Sequence, residues 1–254
     1  MKHKWKADAY ASNSKGQEIW AKELIEKMHL QGCETILDIG CGDGKITNYL
    51  AGLTTSQVTG IDLSHDMIAF AKKSFVKPRF IQMGAEDLKF DSEFDLIFSN
   101  AALHWVKDHD AVVRGIYKAL KPGGKILLQM GGKGNAFEVF KALEFVKKEY
   151  VPYFKDFISP YTFHCDTYYI ELLRNIGFES FDATLIPKEM VHQNIDDFKG
   201  WLETTWFPFL DCVPKVKRET FLNQWIQTYL DLTSLHDQGP ISVSMIRLEV
   251  TAQK

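Results

Sequence analysis

The stretch Ile36-Leu37-Asp38-Ile39-Gly40-Cys41-Gly42-Asp43-Gly44 decides how this chain is read. A short apolar run ends in three glycines, and a helical pattern follows from about Gly44 to Leu53. Glycines at such a turn adopt backbone conformations closed to other residues and let the main chain approach a ligand closely. The spacing excludes two phosphate cradles. A dinucleotide fingerprint needs its third glycine three residues after the second, whereas Gly42 and Gly44 are two apart and position 45 is a lysine. The G-x-x-x-x-G-K-[ST] loop is also absent. A tight strand-to-helix turn without a ligand would use the same residues, so the glycines alone do not decide a function.

Outward from that turn the chain alternates. Strands are expected at Gln57–Ile61, Arg79–Met83, Phe94–Ser99 and Lys125–Met130. Between them lie a helix capped by Ser64, with Met67, Ile68, Ala71 and Phe75 on one side, and a helix from Asp108 to Leu120 stopped by Lys121-Pro122-Gly123-Gly124. Short strands alternating with helices mark repeated βαβ units and a parallel sheet. In such sheets ligands bind at the carboxyl ends of the strands. The second strand ends in Asp62, 22 residues after Gly40. A carboxylate there accepts both hydroxyls of a ribose and rejects a 2′-phosphate. Before the turn, Ile19, Trp20, Leu24 and Met28 predict one face of a helix. Beyond Gly131 helices are expected at Phe137–Tyr150, Thr167–Ile176, Asp196–Thr204 and Lys215–Leu232, with strands within Phe178–Met190 and Ile241–Ala252. Nineteen of the thirty-three aromatic residues fall between Phe145 and Tyr229, which suits a second hydrophobic core, a cap over a small-molecule pocket, or both.

Composition narrows the class. The 254 residues are 45% hydrophobic and 25% charged, an ordinary globular mix. Thirty basic against thirty-three acidic residues give a net charge of −3, without the basic footprint of a nucleic-acid binder. No apolar run approaches the roughly 18–20 residues that cross a bilayer. The start, Met1-Lys2-His3-Lys4-Trp5-Lys6, lacks the apolar stretch of a secretory signal. Cys33, Cys41, Cys165 and Cys212 are scattered, with no metal-ligand spacing, and read as reduced thiols of a cytoplasmic protein. No metal site is expected.

The motifs ILDIGCGDG, GIDLS, GAEDL, FDLIFSNAALHW and LKPGGKILL, in that order from about Thr35 to Met130, resemble those of the class I S-adenosylmethionine-dependent methyltransferases. With Trp5, Tyr10 and SNAALHWVKDH, the chain is similar to the trans-aconitate methyltransferases and related small-molecule methyltransferases within that class. The resemblance implies an α/β, Rossmann-like sheet of seven strands, mostly parallel with the last antiparallel, plus a helical cap. It divides the chain into an N-terminal lid (1–30), a cofactor-binding core (31–131, completed by strands within 178–192 and 240–254) and a cap (132–177 and 193–239).

It also implies S-adenosylmethionine as cofactor. Gly40, Gly42 and Gly44 would border its methionine part, with Cys41 a filler in the loop and Asp38 orienting the turn. Asp62 would hold the ribose, with Leu63 beside it. Ala85 and Glu86 occupy the adenine-contacting segment. Asn100 would present its backbone to the ammonium group, and Tyr10 and Gln17 would close over the cofactor. Where many relatives carry an acid, this chain has Gly84, so Glu86 is the substitute acceptor for the adenine amino group. His104 and Trp105 face the transferred methyl. His104 is either a base or substrate orienter, or else a packing residue. Thr204–Leu210, where the trans-aconitate enzymes have an arginine, is apolar here and favours a less charged acceptor. The expected activity is methylation of a small molecule, a carboxylate or similar acceptor; the alternative is a cofactor-binding regulatory or accessory protein without catalysis. Oligomeric state is not legible.

Overall fold

A computed structural model describes residues 15–234 and 239–254. Helix α1 (Lys15–Glu26) leads into β1 (Ile36–Ile39), and the chain then alternates through α2 (Lys45–Leu53), β2 (Val58–Asp62), α3 (His65–Ser74), β3 (Arg79–Gln82), β4 (Phe94–Asn100), α4 (His109–Ala119) and β5 (Leu120–Gly131). Short 3₁₀ turns at Ala85–Asp87 and Leu103–Trp105 follow β3 and β4. After β5 come α5 (Phe137–Lys147), α6 (Val151–Phe154), α7 (Asp166–Ile176), β6 (Ser180–His192), α8 (Ile195–Thr205), α9 (Phe207–Leu210), α10 (Lys215–Thr233) and β7 (Ile241–Gln253).

Seven strands form one sheet in the order β3-β2-β1-β4-β5-β7-β6. Strands β1 to β5 pair in parallel, and β7 runs antiparallel to both β5 and β6, as expected. Strand order reverses between β1 and β4, so the crevice of such a sheet opens above their carboxyl ends. Side-chain caps start the helices where the sequence placed them: Ser64 Oγ accepts from the Met67 amide (3.3 Å) and Asp108 Oδ1 from the Ala111 amide (2.9 Å). Strand β5 begins earlier than expected, because Leu120 already pairs with Phe94 before a bulge and the ladder resumes at Leu96–Lys125. No described helix is long and apolar enough to cross a membrane.

Each face of the sheet is buried. Helices α4 and α7 press Val112, Ile116, Tyr169 and Leu173 against Leu37, Ile97, Leu128 and Leu248. Helices α1 and α2 cover the other face through Ala21, Leu24 and Leu50 against Ile36, Phe98 and Leu127. A third core joins α5, α8, α9 and α10 to Ile241, Val243 and Met245 of β7, with Trp225, Trp206 and Phe221 at its centre. The Trp225 indole N–H donates to the Val139 carbonyl (3.0 Å), which satisfies its one polar atom inside that core.

Two expectations are corrected. On α1 the buried face is Trp20, Ala21, Leu24 and Ile25, while Ile19 is 59% exposed, because the sheet contact is centred one residue further round the helix. Helix α7, which the expected division gave to the cap, buries its apolar stripe against the sheet beside α4. Its Tyr169 hydroxyl lies 2.6 Å from Nδ1 of the buried His109 on α4.

His109 also carries a pH signature. Burial, then the neighbouring His164, lowers its pKa from 6.5 to about 4. The unfolded ring takes up a proton near 6.5 and the folded ring only near 4, so its contribution is full above the higher value and is lost as pH falls to the lower. Urea denaturation from pH 7 to pH 4 is expected to show stability falling with acidification, less steeply in a His109→Gln variant; parallel curves would remove His109 as a cause.

Candidate active site

The loop after β1 is held by its own amides. Gly40 and Cys41 both donate to the Ile61 carbonyl (2.8 and 2.9 Å), binding the turn to the end of β2. Gly40 has φ of 76°, and a Cβ there would stand 2.1 Å from the Cβ of Ala102, so the loops after β1 and β4 touch only because residue 40 lacks a side chain. Gly44 also has a packing role: a Cβ would meet Ala71 and Phe80 at 2.8 Å, so this glycine lets α2 start close against α3 and β3. Cys41 packs on Gly60, and burial with Asp38 and Asp62 nearby pushes its thiol pKa well up, as suits a filler and not a nucleophile.

Asp62 joins the two halves of the site. Its Oδ2 accepts the Gly42 amide (3.0 Å) and its Oδ1 the Ser64 amide (2.8 Å). Each carboxylate oxygen keeps a further lone pair for a ligand hydroxyl. Leu63 follows, 72% exposed, with its side chain 3.6 Å from where a Cβ on Gly84 would stand. Glu86 is exposed and its Oε1 accepts the Asp108 amide (3.0 Å), so this carboxylate secures the start of α4. Its carboxylate keeps further lone pairs for a second donor.

Between β1 and β4 a crevice is lined by Asp38, Gly40, Cys41, Gly42, Asp43, Lys45 and Asn100, together with Glu18 of α1 and Ala101. Asp38 is 2% exposed and accepts from Thr47 Oγ1 (2.7 Å), which ties β1 to the first turn of α2. Burial, with the charges of Asp62 and Asp43 adding to it, lifts its pKa to about 7 against the Thr47 bond. Asp62 is raised by burial too. Among the residues lining the crevice, Asp38, Asp43 and Glu18 outnumber Lys45, whose Nζ lies 3.4 Å from Asp43 Oδ2, and that balance favours a cationic ligand over a dinucleotide's phosphates. Glu18 escaped the sequence reading because a charged residue on a surface helix carries no signal of its own. Tyr10 lies outside the described residues, as does the Gln17 side chain.

Past the end of β4, His104 is 8% exposed, and its Nδ1 accepts the Gly131 amide at 3.4 Å. Burial, then the charge of Arg247 on β7, holds its pKa well below the usual value. The ring is therefore neutral, with its proton on Nε2. Around it stand the half-buried rings of Trp105, Tyr161 and Phe163, with centroids 5.8–6.0 Å away. Phe207 stacks on Trp105 at 6.2 Å. The strap carrying Tyr161 is pinned by Lys107 Nζ, which donates to the Ser159 and Tyr161 carbonyls (2.8 and 3.1 Å). The aromatic excess thus feeds more than one core: Trp201, Trp206, Phe209, Phe221 and Trp225 are buried in the third, Tyr169 and Phe178 in the sheet core, and the half-buried rings of Trp105, Tyr161 and Phe163 cluster beside His104.

A family model described as "Methyltransferase domain" matches residues 37–128. An uncharacterized methyltransferase of Schizosaccharomyces pombe is 30% identical over 98% of this chain and 98% of its own length. The chain belongs to the S-adenosylmethionine-dependent methyltransferases. The trans-aconitate 2-methyltransferase of Shigella flexneri is 27% identical, again over 98% of both chains. Phosphoethanolamine N-methyltransferase 2 of Haemonchus contortus, solved with phosphomonomethylethanolamine and S-adenosylhomocysteine, shares the fold at 22% identity with a TM-score of 0.63, covering 98% of this chain and 56% of that one.

The residues of this methyltransferase fit the cofactor. The acidic crevice suits a sulfonium and an ammonium group, and Asp62 is an amide-held acceptor pair at the end of β2. Asp62→Ala removes charge-assisted bonds of roughly 1.5–3 kcal/mol each. Calorimetry with S-adenosylhomocysteine is expected to show affinity lower by tenfold or more; unchanged affinity would exclude Asp62 from the site. Gly40→Ala forces a side chain into the left-handed region, costing about 1–2 kcal/mol before its clash with Ala102 is counted. Its urea midpoint is expected to fall by at least that equivalent.

Proposed function

We propose that this methyltransferase O-methylates a small carboxylate-type acceptor in the aromatic pocket beside His104, and that it does so in the cytoplasm. The observation that carries the reading is the state of His104. With Nδ1 engaged by Gly131 and the ring neutral, it offers an N–H to the acceptor and is poorly placed to take a proton. The nearby Tyr161 hydroxyl donates to the Thr205 carbonyl (2.6 Å), and burial raises its pKa well above the ordinary value. An acceptor that arrives ionised at neutral pH needs no base. Alcohols and amines do.

S-adenosylmethionine, when bound, supplies a methyl group already activated on a sulfonium. The chain has to position and to exclude water. The loop at 40–44, Asp38, Asp62 and the backbone of Asn100 hold the cofactor, Leu63 and Ala85 flank its base, and Cys41 fills the turn behind it. His104 Nε2–H and the Trp105 face orient the acceptor, and Tyr161, Phe163 and Phe207 keep the pocket dry. Fixing two reactants in line supplies much of the rate without further chemistry from the protein. Residues 1–30, with Tyr10 and Gln17, are read as the lid, and α5, α6 and α8–α10 as the cap. The net charge of −3 speaks against nucleic-acid partners, and four free cysteines suit the cytoplasm.

Release of S-adenosylhomocysteine, followed across a panel of small carboxylic acids, phenols and amines, is expected only with acids. Turnover confined to amines or phenols would overturn the acceptor class. The rate is expected to show no rise through pH 6–7, and His104→Gln, which keeps a donor, to retain more activity than His104→Ala. A rise with a histidine-like midpoint that vanishes in His104→Gln would make His104 the base.

A further inference from the structure

We infer that Lys107 is a positioning residue for methyl transfer, latching a strap of chain over His104 and Trp105. The inference rests on the methyl-transfer reading above and concerns the wall of that site, not the reacting groups. The strap is residues 155–165, which join α6 to α7 and belong to no helix or strand. Lacking a ladder of its own, such a segment keeps its place only through the contacts it makes elsewhere. Its inner side carries aromatic rings. Tyr161 lies 4.6 Å from Trp105 and 5.8 Å from His104 between ring centroids, and Phe163 stacks on Tyr161 at 5.5 Å. A Cβ on Gly131 would stand 2.7 Å from Phe163, so the strap closes onto the residue whose amide holds His104. Its outer side meets solvent at Ile158, which is 82% exposed.

Three of the bonds that fasten the strap come from one atom. Lys107 Nζ donates to the Ser159 carbonyl (2.8 Å), the Tyr161 carbonyl (3.1 Å) and Thr162 Oγ1 (3.2 Å). An ammonium has three hydrogens, and these partners take all three. Contact with the strap also strips water from the ammonium, which lowers its pKa from the ordinary lysine value. The base of the latch is firm. Lys107 stands between the 3₁₀ turn at Leu103–Trp105 and Asp108, which caps α4 and is itself tied to Glu86. Beside the latch, the Thr162 amide donates to the His104 carbonyl (2.8 Å), so the strap and His104 share a backbone bond.

The latch is also built to open. Lys107 is an exposed residue and its three partners are neutral, so water can replace them without disturbing the core beneath. A ring-walled site has to open to admit an acceptor and shut to exclude water. If the strap is shut in only a fraction of molecules, apparent acceptor affinity falls by that fraction. Sequence reading passed over Lys107 because a lysine just before a helix cap looks like a solvated charge.

The test is Lys107→Met, which keeps the aliphatic stem and removes the donors. Amide exchange followed by NMR is expected to show the Thr162 amide exchanging at least tenfold faster, with Lys107→Arg recovering part of the protection. In turnover of phenylacetate and trans-aconitate, KM for an acid is expected to rise fivefold or more while kcat stays within twofold. Affinity for S-adenosylhomocysteine is expected to stay unchanged. An unmoved Thr162 amide, an unmoved KM or a Lys107→Arg variant no better than Lys107→Met overturns the inference. So does a loss of S-adenosylhomocysteine affinity, or a fall in kcat that matches the change in KM. If Lys107→Met fails to fold, Thr162→Val removes one acceptor of the three. It is expected to move the exchange at position 162 and KM in the same direction by less, and no movement overturns the inference. If neither acid is turned over, the proposed acceptor class fails and amide exchange alone decides the latch. Failure to bind S-adenosylhomocysteine would instead sink the methyl-transfer reading, with the exchange comparison still legible on the free protein.

Discussion

The site depends on one carboxylate that grips two amides. Asp62 ends β2, yet its oxygens reach back to Gly42 in the first turn and forward to Ser64 at the start of α3. Two loops that the sheet merely places side by side become one surface through that bridge. The bridge works because Gly40 and Cys41 already share the Ile61 carbonyl, one residue before Asp62. Backbone bonds set the distance, and the acid then fixes the orientation. Burial raises the Asp62 pKa, so the bridge itself favours a ligand that brings hydroxyl donors or positive charge.

Electrostatics and packing divide the labour along the strand ends. At β1 and β2, acids crowd into a narrow crevice whose walls are mostly backbone. At β4 and β5, the walls are aromatic rings and the buried charge is a guanidinium. His104 stands on the second side, where burial and the charge of that same guanidinium lower its pKa.

Much of this was legible in the residues. Periodicity located β1 to β5 within a residue or two, except where Leu120 pairs early, and the capping residues Ser64 and Asp108 marked helix starts by a local hydrogen bond. The glycine turn and Asp62 were legible because few residue types satisfy those positions. What stayed hidden depends on contacts distant in sequence. Gly44 was legible as part of the turn, and only the approach of Ala71 and Phe80 shows that it also spaces a helix. The bond from the Asp108 amide to Glu86 was equally hidden. Glu18, Lys107 and Arg247 are charged residues in ordinary surroundings along the chain, and their meaning comes from what the fold brings opposite them.

Strand β7 has a double allegiance with a kinetic implication. Its first half, Ile241 to Met245, is part of the core of α5 and α8–α10, and its second half, from Leu248 to Ala252, completes the sheet interior. Those helices are made earlier on the ribosome than the strand they rest on. Until residues 241–253 emerge and slot between β5 and β6, the tryptophan-rich underside of the helices has nowhere to dock. Chaperone dependence and aggregation during synthesis would concentrate in that interval, and a nascent chain halted before residue 240 would expose the stickiest surface in the molecule.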